Sequence, residues 1–463
     1  MNLFLPSDPR PLHFVGIGGA GMSALALIAR KRGLSVTGSD ADVSGCGDLV
    51  ALGVRVHAGQ NVEHLGPARA VVVSAAIRTG HPEVEAARAR GIPVVARKDA
   101  LAELVATGRC IGIAGTHGKT TTTVMTTEAV AAAGFPVTGI AGGRVDSWGG
   151  NARVAGGDRD LYVVEADEFD RAFLTLNPAI AVVTNVEADH LECYGSLEAL
   201  EDAFVTFAGR ADRVLIGNDS IGSDRVAGRL PAPKVWRFGP GAADLDLVGI
   251  ATSRLETGAT VTLPGSGPVA LRLQVPGIHN LRNATAALGV VVALGGNPVP
   301  ALEALAGFEG VGRRFDRLGE FSGVEIVDDY AHHPTEIRAT LLAARQAYPG
   351  RRVIAVFQPH LFSRTAQLGG EMGAALADAD LAVVSDIFAA REEPIAGVTG
   401  EVVARGVTES GGVVVYEPNR QVLAGRVAAL VRPGDLLLTL GAGDITRLGP
   451  EVAGLLGGQQ GVR

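Results

Sequence analysis

Short apolar runs alternate with stretches of helical periodicity along most of the chain. Leu12 to Ile17 is apolar, glycine-rich GIGGAG follows, and a helical pattern from Met22 is stopped by Gly33. Ser35 to Gly38, Ala70 to Ala75 and Pro93 to Ala96 read as further strands, with a helix over Glu83 to Arg90 between the last two. Strand–helix–strand succession predicts a parallel sheet covered by helices. The pattern restarts around Ala106 to Arg109 with a new strand, a glycine turn and a helix from Lys119 to Ala133 capped by Gly134. Gly139 to Gly150 is glycine-rich, holds Arg144, Asp146 and Trp148, and reads as an irregular substrate-side loop.

Apolar runs at Leu161 to Val164 and Ile180 to Val183 both end in acidic clusters. Asp244 to Val275 has the look of short antiparallel strands with Gly/Pro turns, before a helix from Ala284 to Leu294. Phe308 to Phe315 reads as a linker. Alternation then resumes: strands Val324 to Val327, Arg352 to Phe357, Leu381 to Ser385 and Asp435 to Leu440, with helices over Pro334 to Ala347 and near Ala366 to Ala377. The tail Gly457 to Arg463 carries no pattern and reads as frayed. The expectation is an α/β protein of three domains, bounded at 1–108, 109–310 and 311–463.

Composition narrows the partners. A formal charge of −8 argues against a nucleic-acid-binding surface. Cys46, Cys110 and Cys193 lie far apart without metal-ligand spacing, as in a reduced cytosolic protein. The first residues, MNLFLPSDPRPLHF, lack a signal layout, and no apolar stretch is long enough to predict a membrane span. Only four lysines stand against 37 arginines, so Lys119 is conspicuous.

The strongest chemical signal is Ile111 to Thr123, IGIAGTHGKTTTT. Backbone N–H groups of a glycine turn and the positive end of a helix both face an anion. Gly115 and Gly118 would let phosphate oxygens approach the backbone, Lys119 would reach the β- and γ-phosphates, and Thr120 would meet Mg²⁺. The usual spacing places glycine at 113, where this chain has Ile113, with Gly112 one position early. Glu165, at a strand's carboxyl end, suits Mg²⁺, which prefers oxygen; His190 is a candidate for a second ion or for the transferred phosphoryl group.

In the first segment Gly16, Gly18 and Gly21 fit a diphosphate turn, with Asp40 placed for a ribose hydroxyl. A dinucleotide and a UDP-sugar pose that turn the same problem. Asn280 and Asn283 share a helix face, suited to an adenine edge or simply to capping. DDYAHHP and QPHLFSR follow successive strands and would bring their histidines to one sheet rim.

HFVGIGGAGMSALA, GTHGKTTTT, VEADE, TNVEADHLECYGS, GIHNLRNA, FEGVGRRFD, DDYAHHPTEI and FQPHLFSRT stand in the order seen in Mur ligases. The chain resembles that family from His13 to about Asp444, and within it the members that add L-alanine. The resemblance implies a cytoplasmic enzyme of peptidoglycan synthesis, monomer or homodimer, that joins L-alanine to UDP-N-acetylmuramate with ATP and Mg²⁺. It implies a Rossmann-like UDP-sugar domain, a central P-loop ATPase-type domain and a Rossmann-like amino-acid domain. Gly16, Gly18, Gly19, Gly21, Ser39 and Asp40 would serve the UDP-sugar. Gly115, Thr116, His117, Gly118, Lys119, Thr120, Thr121, Asn280, Asn283 and Arg314 would serve ATP, with Thr120, Glu165 and His190 on metal. Tyr330, His332, His360 and Arg364 would form the alanine pocket, with His332 as base and domain closure assembling the site.

Leu361 stands where family members often carry arginine. Later ligases of the pathway use a carbamylated lysine, and no lysine lies between Lys119 and Lys234 to provide one. A recycling ligase that adds a peptide is the alternative within the family; GIGGAGMS in place of its GICGT-like stretch favours alanine addition. Outside the family, an NAD-dependent oxidoreductase would explain GIGGAG and leave the triphosphate turn idle. A nucleotide-gated binding protein would make poor use of the histidine loops.

Overall fold

The computed structural model describes residues 3–4, 8–156, 161–390 and 392–457, so the tail beyond Gly457 lies outside the described residues. Alternation of apolar strands and helices yields three sheets. The first has strands β1 (Leu12–Val15), β2 (Val36–Asp40), β3 (Arg55–Ala58), β4 (Ala70–Val73) and β5 (Val94–Ala96), all parallel, in the order β3-β2-β1-β4-β5. This is a Rossmann order, whose ligand crevice opens at the carboxyl ends of the strands where the order reverses. That point follows β1, where Gly16 takes φ +81°.

The second sheet holds β6 (Arg109–Ala114), β7 (Val137–Val145), β8 (Gly150–Arg153), β9 (Leu161–Glu165), β10 (Ile180–Val183), β11 (Arg213–Gly217), β12 (Val235–Gly239), β13 (Leu245–Ser253), β14 (Glu256–Leu263) and β15 (Gly267–Leu273). Their order is β15-β14-β13-β12-β11-β10-β6-β9-β7-β8. Central β6 has parallel neighbours β9 and β10, and its residues Cys110 to Ala114 are buried, as a strand covered on both faces requires.

The third sheet holds β16 (Asp316–Phe321), β17 (Val324–Asp329), β18 (Val353–Phe357), β19 (Leu381–Val384), β20 (Val414–Tyr416) and β21 (Leu436–Leu440), in the order β16-β17-β21-β18-β19-β20. Only β16 runs antiparallel there. β17, β18 and β21 are buried along their whole lengths.

Local chemistry sets several boundaries. Pro82, Pro298 and Pro334 open helices at the position where a missing N–H costs nothing. Ser196 and Asn297 cap helices by accepting from Ala199 and Val299 amides. By contact density the chain forms two units: residues 1–249, 259–271 and 282–307, and residues 250–258, 272–281 and 308–463. Among the described residues no helix is long and apolar enough to cross a membrane.

The structure corrects the reading of Gly139 to Gly150 as a loop. β7 runs through Val145, a short turn Asp146–Trp148 follows, and β8 returns antiparallel. Its glycines mark close approach rather than irregularity: a Cβ on Gly139 would press on Thr127 and Trp148, and one on Gly142 would overlap the Glu165 carboxylate. The segment joins the first two sheets, since Asn151 donates to the Ala20 carbonyl at 3.1 Å and Arg144 pairs with Asp48. Two helices start earlier than their apolar periods suggest, at Ile278 and Phe362.

Candidate active site

β6 delivers the chain into Gly115–Gly118, and the helix Lys119–Ala132 departs from it. Gly115 (φ +129°) and Gly118 (φ +78°) occupy backbone conformations that other residues adopt only with strain. A Cβ on Gly115 would also collide with the Thr184 hydroxyl. The turn is stitched to the end of β10. The Thr116 amide donates to the Asn185 carbonyl (3.1 Å), the His117 amide to Asn185 Oδ1 (2.8 Å), and Thr184 Oγ1 to the His117 carbonyl (2.5 Å). The Glu187 amide donates to Thr116 Oγ1 (2.9 Å), and His117 Nε2 lies 3.3 Å from Glu187 Oε2. A second strand end therefore templates the turn.

Lys119 Nζ folds back over the turn, donating to the Gly115 carbonyl (2.7 Å), the Thr116 carbonyl (3.2 Å) and Glu168 Oε1 (2.7 Å). Burial alone would push its ammonium down; the Glu168, Asp167 and Glu165 charges outweigh that and hold it above its ordinary value. Burial pushes the Glu165 and Glu168 carboxyls up, and Lys119 draws each back only in part. At the end of β9, Glu165 Oε1 accepts from Thr120 Oγ1 (3.1 Å) and Oε2 from the Gly142 amide (2.5 Å).

A hydroxyl and a carboxylate within hydrogen-bond reach beside the lysine form the hard-oxygen donor set that Mg²⁺ takes. His190 has φ +53°, lies 3.4 Å from Glu192 through Nδ1, packs edge-on against Phe169 at 5.3 Å and acts electrostatically on Glu168. It thus stands by the acid that holds Lys119. Asn283 is buried with Oδ1 facing Gly118: a Cβ there would lie 3.0 Å from it. Thr121 is buried in the helix's first turn.

In the first sheet, the Gly16 and Ile17 amides donate to the Ser39 carbonyl (2.8 and 3.1 Å), and the Gly18 amide to Asp40 Oδ2 (2.8 Å). The expected Gly16, Gly18 and Asp40 are brought together. Gly19 precedes the helix Ala20–Lys31, and a Cβ on Gly21 would meet Arg97 Nη1 at 2.8 Å. Ser39 is buried, with its hydroxyl on Glu83 (2.6 Å).

The second unit gathers the histidine loops. Arg313 and Arg314 each hold their guanidinium 4.9 Å from the Tyr330 ring centre. His332 Nδ1 lies 3.0 Å from both the Tyr330 carbonyl and Glu336 Oε2, and its ring meets Tyr330 edge-on at 5.2 Å and His360 at 6.3 Å. His360 stacks on Phe388, and its Nδ1 lies 3.5 Å from Nη1 of buried Arg364. Asn280, also buried, donates from Nδ2 to the Pro276 carbonyl at 2.7 Å. Leu361 is buried at φ +69°, so its side chain presents nothing to solvent.

Sequence reading missed three contributors. Asp329 is buried and accepts from the Ala331 and Phe315 amides, both at 2.7 Å, fixing the loop that bears His332. Burial raises its carboxyl to about 6, against the pull of Arg314 and those amides. Glu336 orients His332 from one helical turn on, a spacing visible within DDYAHHPTEI. Glu168 lies one turn of chain past Glu165, and nothing in the sequence ranked it as the lysine's partner.

Three family descriptions match in succession: Mur ligase family, catalytic domain, over residues 11–109; Mur ligase middle domain over 113–291; and Mur ligase, glutamate ligase domain, over 313–443. The chain is 44% identical to a UDP-N-acetylmuramate–L-alanine ligase of Thermobifida fusca, covering 99% of this chain and 100% of that one. The corresponding ligase of Kineococcus radiotolerans is 47% identical, with 96% of each covered. Among solved structures, the UDP-N-acetylmuramate-alanine ligase of Thermotoga maritima superposes with TM-score 0.81 at 28% identity, covering 96% of this chain and 98% of that one. A murein peptide ligase of Psychrobacter arcticus shares the fold, with TM-score 0.72 at 24% identity and 98% and 100% coverage. By the succession of its three domains and by its full-length relatives, the chain belongs to the Mur ligase family.

Proposed function

We propose that the protein joins L-alanine to the lactyl carboxylate of UDP-N-acetylmuramate at the expense of ATP, in the cytoplasm, as a step of peptidoglycan synthesis. Full-length relatives at 44% and 47% identity carry that activity in their names. The single observation that carries the reading in this chain is Lys119, held over an anion-shaped turn by three acceptors.

A carboxylate is a poor electrophile at neutral pH, so joining it to an amine needs activation. The γ-phosphoryl group passes to a lactyl oxygen, giving an acyl phosphate and ADP; the alanine amine then attacks the acyl carbon, and phosphate leaves. Gly115 and Gly118 let the phosphates approach the backbone at the mouth of the helix Lys119–Ala132, and Lys119 offsets charge on the transferring group. Thr120 and Glu165 would hold Mg²⁺, with His190 as a second candidate holder, and the ion would neutralise phosphate charge. Asn280 and Asn283 serve the adenine, Arg314 the nucleotide side, and Thr116, His117 and Thr121 shape the turn.

His332, oriented by Glu336, takes the proton from the alanine ammonium. Arg364 binds the alanine carboxylate with paired bonds, beside Tyr330 and His360. Gly16, Gly18, Gly19, Gly21, Ser39 and Asp40 shape the UDP-sugar's diphosphate site, and domains 1–108, 109–310 and 311–463 divide the labour. Incubation with ATP, Mg²⁺, UDP-N-acetylmuramate and single amino acids, followed by weighing the product, tests the whole reading. The expected product is the alanyl adduct; ATP hydrolysis without dependence on sugar acid and amine would overturn it.

A further inference from the structure

Behind the glycine turn of the first sheet lies a fully buried carboxylate that the proposed reaction does not use. Glu83, in the first turn of the helix Pro82–Ala89, has no exposed surface. Its Oε2 lies 2.6 Å from Ser39 Oγ and 2.9 Å from His13 Nε2; its Oε1 lies 3.1 Å from the Asn61 amide and 3.3 Å from His64 Nδ1. His13 is equally buried and reaches Thr37 Oγ1 at 2.9 Å with its other ring nitrogen. Burial pushes the Glu83 carboxyl up, yet the bonds from His13, Ser39 and the Asn61 amide prevail and bring it down to about 2. Glu83 is therefore ionised throughout the physiological range, and His13 Nε2 donates to it.

A buried ionised carboxylate is a costly way to fasten a core that apolar packing could hold. Its attachments show what it fastens. His13 lies on β1 three residues before Gly16, and Thr37 and Ser39 lie on β2. The carbonyl of Ser39 accepts the Gly16 and Ile17 amides, and its neighbour Asp40 accepts the Gly18 amide. Three successive N–H groups of the turn are thus fixed by two residues, one of which is bound directly to Glu83.

We propose that Glu83 is a positioning residue for the UDP-sugar: held by His13 and Ser39, it sets the place of β2 against β1 and so the shape of the Gly16–Gly21 turn that receives the diphosphate. The proposal rests on the reading that the first domain binds the UDP-sugar. Glu83 touches no substrate, and its influence passes through the Ser39 backbone. Its loss leaves the triphosphate turn and the histidine loops as they are. The effect falls on one substrate only.

Glu83→Gln replaces one acceptor oxygen by a donor, which must face either His13 and Ser39 or the Asn61 amide and His64. We expect the Kd of UDP-N-acetylmuramate, measured calorimetrically without ATP, and its KM both to rise about tenfold. kcat at saturating sugar and the KM for ATP stay within about twofold. Glu83→Asp, which keeps the charge, recovers part of the loss. If Glu83→Gln does not fold, His13→Gln, which removes the imidazole that donates to Glu83, gives the same split. An unchanged sugar Kd in a folded variant, or a KM for ATP that rises with it, overturns the proposal. Failure of the wild type to bind the sugar would remove the first-domain reading and the proposal together; firm wild-type binding with unaltered variant binding removes the proposal alone.

Discussion

The Gly115–Gly118 turn and the histidine loops hold their polar groups in place by opposite means. The turn is built mainly from backbone: the Thr116 and His117 amides and the His117 carbonyl are tied to Asn185 and Thr184, and one lysine closes it. The histidine loops are built from side chains: Tyr330 lies against Arg313 and Arg314, His332 against Glu336, and His360 against Phe388 and Arg364. A backbone site tolerates loss of one side chain without losing its shape. A side-chain site degrades in steps as each neighbour is removed.

The largest effect expected follows from that contrast. Lys119→Ala leaves the stitched turn folded and the UDP-sugar bound, yet should lower alanine-dependent ADP release by about 10⁴-fold. Near-normal release would show that the turn needs no lysine. His332→Ala should lower kcat by about 10³-fold if it is the base. Its loss should be eased at higher pH, where more alanine is already a free amine; a pH-independent deficit would place its role in packing.

Asp329 sharpens the comparison through stability. Its folded carboxyl stands near 6 against an ordinary 3.8, so the folded chain holds a proton that the unfolded chain releases. That contribution is fully present below about pH 4 and is lost as pH rises through about 6, amounting to at most about 3 kcal/mol. Urea midpoints between those limits should fall with pH in the wild type and flatten in Asp329→Asn; parallel slopes would contradict this. The smallest effect is Arg364→Ala, expected to raise KM for alanine about tenfold with little change for ATP.

The same contrast explains what was legible in the sequence. Gly115, Gly118 and Lys119 are adjacent in the chain, and the glycines are required by backbone geometry, so they announce the turn by themselves. Strand–helix alternation likewise gave the class of all three sheets. Glycine misled where it marked close approach: β7 was hidden because Gly139 and Gly142 make room for Thr127 and Glu165. Partnerships set by tertiary packing, such as Glu168 with Lys119 or His13 with Glu83, have no fixed spacing and become visible only in the fold. Asp329 stands within DDYAHHPTEI, but its role depends on two amides and on burial that no sequence pattern encodes.

Every role given to the triphosphate turn depends on phosphate being transferred to the sugar's own acid. UDP-N-acetylmuramate carrying heavy oxygen in its lactyl carboxylate, turned over with ATP and L-alanine, tests this directly. Transfer through an acyl phosphate predicts one heavy oxygen in the released inorganic phosphate for each amide formed. Phosphate free of the label, with the alanyl product still accumulating, would contradict it.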